Sequence, residues 1–146
     1  MKDHTPAGPR GASLVEFAFV GLLCCLMLFA AVELGRMALV YNAVANAARA
    51  GLRYAIVHGS TRTGSGLDGP SGPGSNPPEV VTVVDNFAGT GALSLSRLQV
   101  TVSYPDGLNN PGQRVDVQVV YPYDPLTTYF PLSVRLGSVS EGVIAF

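Results

Sequence analysis

Charge is scarce in this chain. Only 13% of its 146 residues are Asp, Glu, Lys or Arg, roughly half the usual share for a soluble domain, so part of the chain is expected not to face water. The net charge of −1 supplies no positive field and argues against a nucleic-acid partner. Tryptophan is absent, and cysteine is confined to the adjacent pair Cys24 and Cys25. Neighbouring cysteines join only through a strained ring, which excludes a disulfide scaffold or a zinc-ribbon spacing. The two histidines, His4 and His58, are too few and too far apart to point to a metal site. No metal and no cofactor is therefore expected. The length fits one modest domain, and the 47% hydrophobic content is too high for a fully disordered chain.

The apolar residues are concentrated. Residues 14–32 contain a single charge, Glu16. As a helix at ~1.5 Å per residue this stretch is about 28 Å long, enough to cross a ~30 Å hydrocarbon layer, and a lone segment there must be helical to satisfy its own backbone. Lys2 and Arg10 against Asp3 favour leaving the short N-terminal flank in the cytoplasm, with the remainder across the membrane. A cleaved signal peptide fits the basic start and the small residues Ala30 and Ala31, but its apolar core is normally shorter and carries no carboxylate. A plain signal anchor leaves Glu16 unexplained, because a carboxylate in lipid costs a few kcal/mol and usually has a partner. Glu16 at an interfacial helix end could also snorkel to water.

The junction reads Arg10-Gly11-Ala12-Ser13-Leu14-Val15-Glu16-Phe17. It resembles the processing site of type IV prepilins, in which a short basic leader ends in Gly and the mature chain carries Glu fifth and often an aromatic sixth. Cutting between Gly11 and Ala12 would put Glu16 and Phe17 at those positions. Cleavage would leave an α-amino cation on Ala12 at the membrane edge, and Glu16, on the same or a neighbouring subunit, is the counter-charge a low dielectric strengthens. With Glu33-Leu34-Gly35-Arg36 and Ala47-Ala48-Arg49-Ala50-Gly51-Leu52-Arg53-Tyr54-Ala55, three motifs in order are similar to those of TadE-like proteins, minor, pseudopilin-like components of bacterial tight-adherence (Tad/Flp) pili. Many relatives have a proline early in the apolar run, where Gly21 and Leu22 stand here. The resemblance implies subunit-assembly roles for Glu16 and Phe17 and helix-packing roles for Glu33, Gly35, Arg36, Arg49, Gly51, Arg53 and Tyr54.

No breaker follows Val32 until Gly59, so one helix is expected over 12–57, with 1–11 as leader. Leu34, Met37, Tyr41, Val44, Ala48, Leu52 and Ala55 recur every three or four residues, opposite Asn42, Asn46, Arg49 and Arg53. Dense alanine favours helix. Cys24 and Cys25 fall mid-membrane, where they act as small apolar residues, since a thiolate would be poorly stabilised.

Residues 58–78 are Gly/Ser/Pro-rich and read as a flexible linker. The linker lacks the Gly-Lys-Ser/Thr ending of a phosphate loop. The expected head is 79–146. Asn76-Pro-Pro-Glu79 has the cap, early proline and acidic first turn of a helix, although the β-branched run 80–87 also suits a strand. Leu98, Val100, Val102 and Tyr104 alternate with polar residues, as do Val115, Val117, Val119 and Tyr121, across a turn-rich 105–112. This predicts an antiparallel hairpin. Proline at 122 should break the second strand, and a third strand is expected near 132–140. The fold class is α+β, pilin-like: a long N-terminal transmembrane helix continuing into a small head with a three-stranded antiparallel sheet.

No nucleophile–base–orienter set can be assembled, because the only histidine outside the leader is His58. Tyr104, Tyr121, Tyr123, Tyr129 and Phe130 read as a packing or contact face. The expected role is assembly, not turnover. The resemblance implies a prepilin peptidase, an inner-membrane assembly platform, other minor pilins and the major pilin of the Tad system as partners. Membrane lipid is a further partner. The expected location is the bacterial inner membrane, with a cytoplasmic N-terminus and an extracytoplasmic head. A type II secretion pseudopilin, a major pilin and a membrane-anchored periplasmic binding module are the alternatives.

Overall fold

The computed structural model describes residues 10–91, 93–126 and 133–145. Element α1 is a single helix, Arg10–Val57, and α2 is Pro78–Thr90; the strands are β1 Gln99–Ser103, β2 Arg114–Tyr123 and β3 Val134–Val143. Single 3-10 turns lie at Gly66–Asp68 and Leu95–Arg97. The fold is α+β, with the long apolar helix ahead of a small three-stranded head.

The chain divides into two compact units, Met1–Arg36 and Met37–Phe146. The described part of the first is helix alone. Its large apolar side chains are exposed: Leu14 by 70%, Phe17 by 78% and Phe29 by 67%. A helix this apolar and this bare is suited to lipid or to other helices, and it is long enough to cross a membrane.

The second unit has two layers. Its sheet has the order β1-β2-β3, antiparallel throughout. Val100 and Val102 of β1 lie beside Val119 and Val117 of β2, and this face receives both helices. The core joins Val44, Ala47, Ala48 and Ala55 of α1, Val80, Val84 and Ala88 of α2, and Val102, Val115, Val117, Val119 and Ile144. Burying each valine contributes about 1.5–3 kcal/mol. Gly51 lets the layers approach: a Cβ there would lie 3.3 Å from Val117 Cγ1 and nearer still to Val84 Cγ2. Gly142 does the same under Ile56, whose Cδ1 would be 2.7 Å away.

Between the two readings of 80–87 the structure has the helix that the proline and Glu79 announced: Pro78 and Glu79 start it, and burying Val80, Val84 and Ala88 at helical spacing outweighs β-branched propensity. Three expectations need correction. Asn76 is not the cap of this helix. It sits at φ 55°, donates its N–H to Val102 O (3.2 Å) and accepts from Val102 N–H through Oδ1 (2.6 Å), standing in for a neighbouring strand residue.

Proline at 122 does not end β2, which continues to Tyr123 opposite Val134. Because Val102 directs its backbone groups outward to Asn76, Thr101 and its neighbours 99 and 103 face β2, and Asp116, Gln118 and Val120 face β1. Pro122 continues that series beyond the last β1 pair, Gln99 with Val120, so its missing N–H faces an unpaired edge.

The Gly/Ser/Pro segment is pinned instead of hanging free. Ser71 is 1% exposed, and both its N–H and its hydroxyl donate to His58 O, at 2.7 and 2.8 Å. Of the anticipated aromatic face, Tyr104 and Tyr123 are buried and Tyr121 is partly covered; Tyr129, Phe130 and Leu132 lie outside the described residues.

Candidate functional site

The residues singled out at the start of α1 lie along its first two turns. Gly11, Ala12, Glu16 and Phe17 are all exposed. Ala12 and Glu16 are four apart, one above the other on a single helix face, so an amine on residue 12 and the Glu16 carboxylate fall within one turn of each other. Among the described residues no cation pairs with Glu16.

The second group divides by position. Glu33 is partly covered and Arg36 exposed. Gly35 is open, with nothing within 4 Å of a Cβ placed there. Arg49 and Arg53 are exposed, and Arg49 donates to Asn46 Oδ1 at 3.2 Å. Gly51 is the close-approach point of the head, and Tyr54 belongs to a polar knot. Gly51 and Tyr54 therefore serve the chain's own packing, while Gly35, Arg49 and Arg53 face outward.

Sequence reasoning missed the knot. The Tyr54 hydroxyl donates to Leu67 O at 2.7 Å, and its ring stacks on His58 with centroids 3.8 Å apart. His58 Nδ1 lies 2.8 Å from Tyr54 O; a carbonyl only accepts, so Nδ1 carries the hydrogen. Since the Ser71 hydroxyl gives its hydrogen to His58 O, the Tyr104 hydroxyl is the donor in its 3.2 Å contact with Ser71 Oγ. Burial, and secondarily Glu79, push the Tyr104 phenol above its ordinary value. Asn109 Nδ2 donates to Ser71 O, and Ser60 N–H donates to Asn109 O at 2.9 Å. No signal in a Gly/Ser run distinguishes Ser71 from its neighbours. The knot holds the end of α1 to the hairpin loop and is a structural clamp.

Asp106 and Arg114 brace the hairpin through a 3.1 Å ion pair. The guanidinium holds the Asp106 carboxyl below its ordinary value, helped by a 2.9 Å bond from Arg114 N–H. Among the described residues no group of His, Cys, Asp and Glu is placed to hold a metal.

One groove in the second unit, of about 420 Å³, runs between α1 and the end of α2, lined by Leu39, Asn42, Ala43, Asn46, Phe87, Thr90 and Gly91. Leu39 is 71% exposed and Phe87 48%. The arrangement offers surfaces for packing: a bare apolar helix, a carboxylate at its start and a lined groove further along.

No curated protein and no solved structure matches the chain. Residues 11–53 match the family model described as TadE-like protein, a segment that begins at the candidate cleavage glycine and includes all three motifs except Tyr54 and Ala55. Through that segment of α1, the chain is similar to TadE-like proteins.

Proposed function

We propose that this protein is a minor pilin, or pseudopilin, of a Tad/Flp-type pilus, cut between Gly11 and Ala12 by a prepilin peptidase and acting in pilus assembly. The match over residues 11–53 to TadE-like proteins carries the reading. It relates the chain to the Tad pilus system, and the bare helix of the first unit supports membrane anchoring. Lipid stores the apolar segment until other subunits replace it. Residues 1–11 stay on the cytoplasmic side of the inner membrane and the head lies outside.

Glu16 guides entry into the assembly. A carboxylate at the membrane edge is costly unless paired, and the new Ala12 amine of a neighbouring subunit neutralises it when the two helices reach the correct axial level. Phe17 packs beside that pair. The partners are the peptidase, the assembly platform, other minor pilins and the major pilin. The protein works by association and has no catalytic role.

The test is Glu16→Ala in the producing bacterium. Membrane insertion should be unchanged, because removing a charge from an apolar helix favours the bilayer, while pili on the cell surface should fall several-fold. Normal piliation with Glu16→Ala would refute charge guidance.

A further inference from the structure

The sheet of the second unit ends in two different edges. On β1, Asn76 engages the outward groups of Val102 with its N–H and its Oδ1. β3 has no such cover among the described residues. It is ten residues long, carries neither lysine nor proline and forms the far edge of the sheet, and a strand of that kind is a template for another. Since Asp116, Gln118 and Val120 face β1, the alternate residues of β2 face β3, and their partners 136, 138, 140 and 142 turn their backbone groups inward. Ile144 keeps this phase, donating to Gln113 O at 2.9 Å. Arg135, Gly137, Val139 and Glu141 therefore present their N–H and C=O groups outward.

The charges on this edge are opposite in sign and symmetric in place. Arg135 and Glu141 stand three residues either side of Ser138, and both are exposed. Among the described residues, neither takes part in a hydrogen bond or ion pair. Glu141 lies directly across β2 from Asp116, a like charge and an unfavourable neighbour. The nearby cation, Arg114, is engaged by Asp106 at 3.1 Å.

We infer that β3 of one copy pairs antiparallel with β3 of a second copy, centred on Ser138, so that one sheet runs through both. Arg135 of each copy then meets Glu141 of the other, and Val139, 62% exposed in the single chain, lies over Gly137, where no side chain competes for the space. All these positions carry outward backbone groups, so the four residue pairs exchange on the order of eight hydrogen bonds. The pleat allows only registers that match outward positions with outward positions. Moving the centre by one residue sets Arg135 against Val139 or Val143, which leaves all four charges without a counter-charge. The second copy is thus selected by the strand's own complementarity, an isologous contact.

The portion of α1 packed on the sheet runs from Gly51 at Val117 to Ile56 at Gly142 and Ala145, along β3. The two-fold turns it end for end in the second copy. This contact therefore joins copies that face each other, and it is separate from any in which the helices run side by side in the same sense. It uses neither cleavage nor a pilus, so its failure is separable from that of the proposed function.

Charge exchange in the full-length chain tests it. Sedimentation in detergent should show a dimer for the unchanged protein. Arg135→Glu and Glu141→Arg, each at an exposed position, should each raise the dimer dissociation constant at least five-fold, with circular dichroism unchanged. An equimolar mixture of the two variants should restore the dimer, because each then supplies what the other lacks, and the double variant should restore it alone. A monomeric unchanged chain, a dimer indifferent to either single change, or a mixture that stays as weak as its components would each overturn the inference.

Discussion

Gly51 of α1 sits directly against Val84 of α2, so close that a Cβ on residue 51 would overlap the valine Cγ2, with Val117 of β2 on the other side. Helix, helix and sheet converge at a point where only a hydrogen fits. Replacing Gly51 by Leu forces side chains into this contact at a cost of about 3 kcal/mol, which lowers Tm by on the order of 10 °C for a unit of this size. Gly35→Ala meets nothing and gains up to ~1 kcal/mol of helix propensity. Thermal melts of the two full-length variants in detergent should therefore move in opposite directions.

Asn76 makes a separate prediction, because its backbone and side chain do different jobs. Asn76→Gly keeps the positive φ and the N–H bond to Val102 O, losing only the Oδ1 acceptor, at a cost of about 1 kcal/mol. Asn76→Val also forces a β-branched residue to φ 55°, which costs more than the missing bond. Urea midpoints should fall in the order Asn76, Gly, Val; equal midpoints for the two variants would show that the φ is not a constraint.

Acid should weaken the hairpin through Asp106. Its carboxyl is held below the ordinary value by Arg114, so the folded state favours the ionised form. That contribution is present above the unfolded carboxylate value of ~3.9 and is lost as pH falls through the lower folded value. Stability measured from pH 6 downward should drop less steeply for Asp106→Asn than for the unchanged chain. At the alkaline end the raised Tyr104 phenol acts in the other sense. Its contribution is present below ~10 and fades as pH rises through the folded value, so Tyr104→Phe should flatten that limb.

The parts legible in the sequence were those with one dominant period. An uninterrupted apolar run followed by dense alanine has no competitor to helix, and α1 ends at Val57 ahead of Gly59. The alternating valines of β1 and β2 likewise admit one register, since a slip would expose Val117 and Val119. Where local preference and tertiary contact disagreed, the contact decided. Val80 and Val84 prefer strand but fit beside Gly51 only on a helix. Pro122 stays in a ladder because β1 has already ended. Ser71 looks like any other polar linker residue and Asn76 reads as a helix cap, whereas their roles arise from groups brought to them by folding, His58 O and the backbone of Val102.

The exposed start of α1 leads to one decisive observation. Intact-mass spectrometry of the protein purified from membranes of a bacterium with an active prepilin peptidase should find a chain beginning at Ala12, and loss of the peptidase should restore the residues before it. A mature chain still beginning at Met1, or one trimmed close to Ala31 and shed from the membrane, would contradict a processed subunit whose new amine meets Glu16.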